Sequence, residues 1–473
     1  MRNWVCLIYV LFFQFSVLAQ TNAEKLEKMC QEAEDLIETN PKLANKKSEE
    51  FLVFAKKTFH PLDTNTAIAY LSYALIQSNA GKSLAFCLDY CDKAISILEK
   101  YKESHLKLHN NSFYYKGSIY FNFGDYNNAS KYQTLATDFA FENDVYSLDE
   151  KIIFLANLIE INNRIGNHSD NHKMIEKVEV LLKNNPNELN QSLFLGYRNI
   201  VSNHYSALGD YETAGSILTS ALEFAEQNNL KSEVSYFEAL NNLVINSFEM
   251  NETNQAFSRS QQLLNELNNA QITESNLFFG ALNILGVIYS EKGDLKRSDS
   301  CQALSLKKRL EVYGENHPSY WNSLSNYAVY LMKVGDFAKA AQVFKNVLNL
   351  IEKNNAQDSE IFENLLNNYI VFLTSVNVEK FDEAKKLLEN NLKRVEKRFG
   401  KNHIKYWDTQ NLLSTIFIAK KDFPNAEKLQ LEYLQFLKSQ NNKNKLDWSI
   451  ANNNMAEFYA NQIAESISPA ILF

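Results

Sequence analysis

The chain has 473 residues, 45% hydrophobic and 22% charged, with a net charge of −8 from 48 basic and 56 acidic side chains. That mild acidity argues against a nucleic-acid binder, which presents a basic face. Only 13 Gly and 6 Pro disfavour a loop-rich all-β fold and favour helices, and 24 Tyr with 31 Phe exclude a disordered chain.

Met1-Arg2-Asn3 is a short basic start, and an apolar run from Trp4 to Leu18 follows, broken only by Gln14 and Ser16. Val17-Leu18-Ala19 ends the run on the small residue that a signal peptidase needs. The run is about 15 residues, short of the ~20 that a membrane-spanning helix requires. Residues 1–19 are therefore expected to be an export signal, with the mature chain periplasmic or secreted and not inserted in a membrane. No Cys follows the run to carry a lipid, and no later stretch approaches 18 apolar residues. Cys30, Cys87, Cys91 and Cys301 are too sparse for a disulfide framework. Cys87 and Cys91 share a helix face and read as small core residues.

From there a period organises the chain. Gly124-Asp125-Tyr126 with Ala129, Gly209-Asp210-Tyr211 with Ala214, Gly293-Asp294-Leu295 with Ser298, and Gly335-Asp336-Phe337 with Ala340 are copies of one turn. Weaker copies are Gly166-Asn167, Asn251-Glu252 with Ala256, Lys380-Phe381 with Ala384, and Lys421-Asp422-Phe423 with Ala426. The residue at the Asp slot falls at 125, 167, 210, 252, 294, 336, 380 and 422, spaced by 42, 43, 42, 42, 42, 44 and 42. Extrapolation backward gives turns near Gly81 and at Asn40-Pro41; forward it reaches Ala464. The count is ten helix-turn-helix units over residues 24–463 plus one further first helix.

Each unit carries its own packing chemistry. A small residue lies seven before the turn Gly (Gly117, Ser202, Gly286, Ala328), where it lets two helices approach closely. An aromatic lies four before it (Tyr120, Tyr205, Tyr289, with Phe417 in the corresponding place), able to fill the wedge between helices. Gly at the turn permits the left-handed conformation that ends a helix, and Asp after it caps the next. Pro41 and Pro424 fall in first turns of second helices, whereas Pro61, Pro186 and Pro318 fall between units and Pro469 in the tail.

This pattern resembles the tetratricopeptide-repeat family, over nearly all of the mature chain. The 42-residue period and the linkers Tyr313-Gly314-Glu315-Asn316-His317-Pro318 and Phe399-Gly400-Lys401-Asn402-His403 look like the kinesin-light-chain type of repeat. The units at Asn167, Glu252 and Lys380 depart from the pattern and should be the least regular. The resemblance implies an all-α, right-handed superhelical solenoid of antiparallel helix pairs, with first helices on the concave face and second helices on the convex face. An exported chain of this repeat type, rich in Asn, Lys, Phe and Ile, fits an AT-rich bacterial genome.

Little in the sequence promises chemistry. His105/His109 and His168/His172 are four-apart pairs, but neither has the Glu after its first His that the zinc-protease helix needs. His317 and His403, 86 residues apart, read as linker residues that cap or pack. Gly81-Lys82-Ser83 lacks the upstream Gly of a phosphate loop, and no G-x-S-x-G elbow occurs. No catalytic residue, metal ligand or cofactor is expected.

The strongest constellation is an asparagine ladder. Asn157, Asn199, Asn241 and Asn283 are 42 apart, and Asn326, Asn368, Asn411 and Asn453 continue it by 43, 42, 43 and 42. In the family this zone of the first helix tends to face the groove, where an amide can pair with an extended peptide backbone without reading its sequence. The other reading is that these Asn bridge neighbouring helices or cap backbone groups. The one-residue changes of spacing mean that not every member points the same way. No paired Lys and Arg of a carboxylate clamp accompanies the ladder.

At the other end, Trp448–Gln462 reads as a first helix whose partner does not follow. Residues 464–473 are expected to be irregular, with Ile471, Leu472 and Phe473 folding back as a cap, or the chain is a fragment of something longer. The function expected is a non-catalytic scaffold that binds a protein or peptide in its groove. The alternative is a sensory or regulatory array of a signalling or peptidase-associated system, its effector absent from this sequence.

Overall fold

The computed structural model describes residues 21–185, 190–354, 356–357, 360–376, 380–439, 448–449, 451–456 and 458–460. The expected export signal, Pro186, Pro469 and the tail lie outside them. Among the described residues every regular element is helical.

The helices run as consecutive hairpins. α1 (Asn22–Glu34) pairs with α2 (Pro41–Thr58), α3 (Thr64–Asn79) with α4 (Leu84–Leu98), and α5 (Leu106–Asn122) with α6 (Tyr126–Glu142). Next come α7 (Leu148–Ile165) with α8 (His168–Asn184), α9 (Gln191–Ala207) with α10 (Tyr211–Gln227), and α11 (Val234–Glu249) with α12 (Thr253–Asn269). Then α13 (Asn276–Glu291) pairs with α14 (Leu295–Tyr313), α15 (Pro318–Lys333) with α16 (Phe337–Lys353), α17 (Glu360–Val376) with α18 (Phe381–Phe399), and α19 (Ile404–Ala419) with α20 (Phe423–Ser439). Residues 448–449, 451–456 and 458–460 are also helical. The chain divides into two compact units, residues 1–206 with 211–327, and 207–210 with 328–473, the boundary falling inside α15.

Sequence chemistry explains which helix lies inside. First helices are apolar nearly all round: α13 buries every residue from Leu277 to Tyr289 except Val287. Second helices bury one stripe at helical spacing: Ala256, Ser260, Leu263 and Leu267 in α12, and Ala340, Phe344, Val347 and Ile351 in α16. A first helix is thus sandwiched, and a second helix forms an outer layer. Fully buried rings such as Phe51, Phe154 and Phe279 each contribute about 1.5–3 kcal/mol of burial.

The small slots are sites of closest approach. A Cβ on Gly117 would meet Gln133 Cγ at 2.9 Å and the Ala129 carbonyl at 3.3 Å. Across the crossing, Ala129, Ala214, Ala256, Ala340, Ala384 and Ala426 are all fully buried. Ser298, in the Ala slot of its unit, also donates its hydroxyl to the Gly286 carbonyl at 2.7 Å. The aromatic slot is filled by ring stacking: Tyr120 lies parallel to Tyr132, centroids 5.7 Å apart, and Tyr289 meets Phe257 edge-on.

The turns follow the same logic. Gly124 and Gly293 adopt φ of +73° and +79°, and Asp125 and Asp294 accept from the backbone N–H three residues on. Where the turn has no Gly, Asn251 and Lys421 take the left-handed conformation themselves, at φ +60° and +62°. The three irregular units differ at the cap: Asn167, Glu252 and Lys380 make no side-chain cap bond to their helices. Pro318 opens α15 instead of lying in the linker before it, because its fixed φ and missing N–H suit a first helical position.

Candidate functional site

All eight ladder Asn fall on first-helix segments, and burial divides them. Asn157, Asn199, Asn241, Asn283 and Asn411 are buried, Asn326 and Asn368 half-buried, and Asn453 exposed. Two donate to the neighbouring first helix: Asn157 Nδ2 to the Tyr114 hydroxyl at 2.7 Å, and Asn199 Nδ2 to the Ser235 carbonyl at 2.8 Å. Other ends have no hydrogen-bond partner within the protein: the buried Oδ1 atoms of Asn199 and Asn241, and the buried Nδ2 of Asn326. Asn199 is held at its Nδ2 end, and the three side chains together place buried, unpaired acceptors on α9 and α11 and a buried, unpaired donor on α15.

Acidic side chains join this zone in the first unit. Glu238 lies on α11 between Ser235 and Asn241, and its Oε1 is buried without a hydrogen-bond partner. Burial, then repulsion from Glu38, raise its carboxyl to about 8, and the Asn199 amide offsets this in part. Burial raises Glu38, in the α1–α2 turn, to about 7. On α1, Glu34 is buried and accepts from the Tyr115 hydroxyl of α5 at 3.3 Å. Burial raises it to about 7 against the hydrogen bonds of Ser72 and Tyr115. At neutral pH Glu238 holds its proton for the most part and Glu34 and Glu38 for part of the time, so these carboxyls act as donors as well as acceptors.

Glu38 reaches Glu238 because the first unit closes on itself. The α1–α2 and α3–α4 turns meet the loops bordering α13 and α14. His317 donates from Nε2 to the Asn79 carbonyl at 2.8 Å, and Lys42 lies 3.9 Å from Glu274. A Cβ on Gly81 would stand 3.3 Å from His317 Cδ2. Tyr313 stacks on His317 with centroids 4.4 Å apart, and Arg309 is buried one turn before it. No sequence signal pointed to Glu38, Glu238 or this closure, because the partners are some 200 residues apart.

The remaining sequence candidates are placed plainly. Cys87 and Cys91 are fully buried free thiols, and burial pushes both up to about 12. His317 and His403 cap helices, each Nδ1 accepting from the N–H two residues on, at 3.0 and 3.2 Å. Ser83 caps α4. His109 pairs with Glu99 at 2.8 Å and His105 with Ser104 at 2.9 Å, so that pair does not converge. The His168/His172 pair instead meets a third imidazole, His204 of α9, which sequence reasoning missed. Burial, then the two neighbouring imidazoles, push His204 down to about 3. Among the described residues no helix is long and apolar enough to cross a membrane.

Antiparallel helix pairs recurring every 42 residues, with a left-handed turn residue and a small-residue crossing in each, define a helical-repeat solenoid with an inner layer of first helices. Two stretches match family models described as Tetratricopeptide repeat, residues 280–319 by one form and residues 111–143 by another. No curated protein sequence matches the chain. Among solved structures it is similar to a Rap protein complexed with Competence and Sporulation Factor, at 14% identity over 86% of this chain and 99% of that one, TM-score 0.49. It is similar to NprR in complex with its cognate peptide NprX, at 13% identity over 78% and 100%, TM-score 0.49. It is also similar to nearly identical repeats of a putative kinesin light chain from Podosopora anserina, at 13% identity over 44% and 98%, TM-score 0.35.

Proposed function

We propose that this protein is a non-catalytic scaffold that binds a protein or peptide segment along its first helices, with ladder amides pairing to the partner's backbone. The observation that carries this reading is the set of buried amide atoms on α9, α11 and α15 without a protein partner: Oδ1 of Asn199 and Asn241, and Nδ2 of Asn326. An extended backbone offers N–H and C=O in alternation, which suits acceptors and donors in one row. A buried polar atom left unpaired costs about 1–3 kcal/mol, so a partner that supplies the missing bonds gains that energy on binding. Glu238 beside Asn241 adds a preference for a partner carrying an N–H donor or a basic group there. The other ladder members, Asn157, Asn283, Asn368, Asn411 and Asn453, contribute less, Asn157 because its amide donates to Tyr114. Export to the periplasm or the outside, suggested by the basic and then apolar start of residues 1–19, is part of the proposal.

The test uses a displayed pool of random peptides. The full chain should enrich a set of peptides that the Asn241→Ala/Asn326→Ala double variant does not retain, while helicity and melting stay close to the parent. Equal retention by both would assign the ladder to structure alone.

A further inference from the structure

Glu238 breaks the pattern of the repeats on either side of it. The residue 42 positions before it is Gly196 on α9, the residue 42 positions after it is Gly280 on α13, and both are buried. The inner helices beside α11 therefore put no side chain at the level of this carboxyl.

Three acceptor oxygens belong to this corner. Asn199 donates its Nδ2 to the Ser235 carbonyl at 2.8 Å, which fixes the amide and makes Oδ1 its unpaired end. Ser235, Glu238 and Asn241 follow one another at three-residue steps, so they form one row on α11. The Asn199 amide reaches Glu238 as well as Ser235. Asn199 and Asn241 are only 3% and 1% exposed, and their Oδ1 atoms, like Glu238 Oε1, are buried without a hydrogen-bond partner.

The charge around them has one sign. Glu38, from the α1–α2 turn, acts on Glu238 and repels it. Both side chains are half-buried, so part of each still meets solvent. Without a cation, burial and this repulsion favour a proton on Glu238. A bound cation takes over that role, and the proton leaves to solvent. A primary ammonium carries three N–H donors and one positive charge, which matches three acceptors beside two carboxyls in number and in sign. A guanidinium is planar and presents its donors as a fork, a shape suited to a single carboxylate.

We propose that Glu238, Asn199 and Asn241, with Glu38 opposite, bind a primary ammonium group of the partner, its amino terminus or a lysine side chain. This rests on the peptide-binding reading above and gives it a fixed point: amides pair along the backbone, and the ammonium sets the register.

The test passes four synthetic pools of short random peptides over the immobilised full chain at physiological salt and identifies what is retained by mass spectrometry. One pool has free amino termini and no Lys or Arg. The other three are acetylated: one without Lys or Arg, one with a single Lys, and one with a single Arg. The free-amino or the lysine pool should be retained about 10-fold over the acetylated pool lacking both, and which of the two is retained identifies the source of the ammonium. Glu238→Gln and Glu38→Gln should each bring that ratio close to one, with circular dichroism showing that they stay folded. Two variants from separate helical segments keep the test decisive if one fails to fold. Equal retention of all four pools, preference for the arginine pool alone, or a preference unchanged in the folded variants would overturn the ammonium site and leave the peptide-binding reading standing. Retention of none of the pools would overturn both.

Discussion

The imidazole of His317 donates from Nε2 to the main-chain carbonyl of Asn79 at 2.8 Å, joining residues 238 positions apart. The same ring accepts at Nδ1 from the Ser319 N–H, so one neutral tautomer both caps α15 and holds the α3–α4 turn. Burial lowers the imidazole to about 4, which keeps that tautomer in place at neutral pH.

Removing this ring should loosen the closure of the first unit. His317→Ala leaves the Asn79 carbonyl and the Ser319 N–H without their partner, a loss of about 1–3 kcal/mol. The expected signature is faster hydrogen exchange at residues 79–83 together with a lower urea midpoint. If exchange at that turn stays at the parent rate, the contact does not hold the closure.

The buried carboxyls predict that stability falls as pH rises. Folded, Glu34 and Glu38 keep their protons to about 7 and Glu238 to about 8, whereas in the unfolded chain they release them near 4.5. Between those values the folded state binds more protons, so raising the pH favours unfolding. His317 works the other way below 6.5, since the unfolded chain protonates there and the folded one only near 4. Above 6.5 only the carboxyl trend remains. The urea midpoint should therefore drop from pH 6.5 to 8.5, and Glu238→Gln should flatten that slope. An equal slope in the variant would remove Glu238 from the account.

Gly117 tests the helix crossing. Its missing Cβ leaves room for Gln133, whose Nε2 donates to the Tyr114 carbonyl at 3.2 Å. Gly117→Val should destabilise by about 1–3 kcal/mol through overpacking, read as a shift in the urea midpoint. A midpoint equal to the parent's would mean that α5 and α6 separate without strain.

Lys421 offers a change in the opposite direction. It sits at φ +62°, where a side chain costs roughly 1–2 kcal/mol relative to the right-handed region. Lys421→Gly should stabilise by about 1 kcal/mol, seen as a higher melting temperature. A lower melting temperature would show that the lysine side chain contributes more than its backbone strain removes.

The hairpins, their caps and their crossings were legible because each depends on residues within one period: Gly124 with Asp125, Gly117 with Ala129, Pro41 after Asn40. The ladder was legible as a row on first helices, but the partner of each amide was not. Asn199 reaches Ser235 because α9 and α11 are adjacent inner helices, and which face each Asn presents depends on how far one repeat rotates against the next. The same holds for His204, which lies on the helix packed against α8.

The sequence alone determined the repeating unit, since the turn and crossing chemistry recurs every 42 residues and acts between nearest neighbours. Only the tertiary structure decided that Asn79 meets His317 and that Glu38 faces Glu238. Those contacts depend on the rotation accumulated over several repeats, and a small angle per hairpin, set by side-chain packing, leaves no trace in the period.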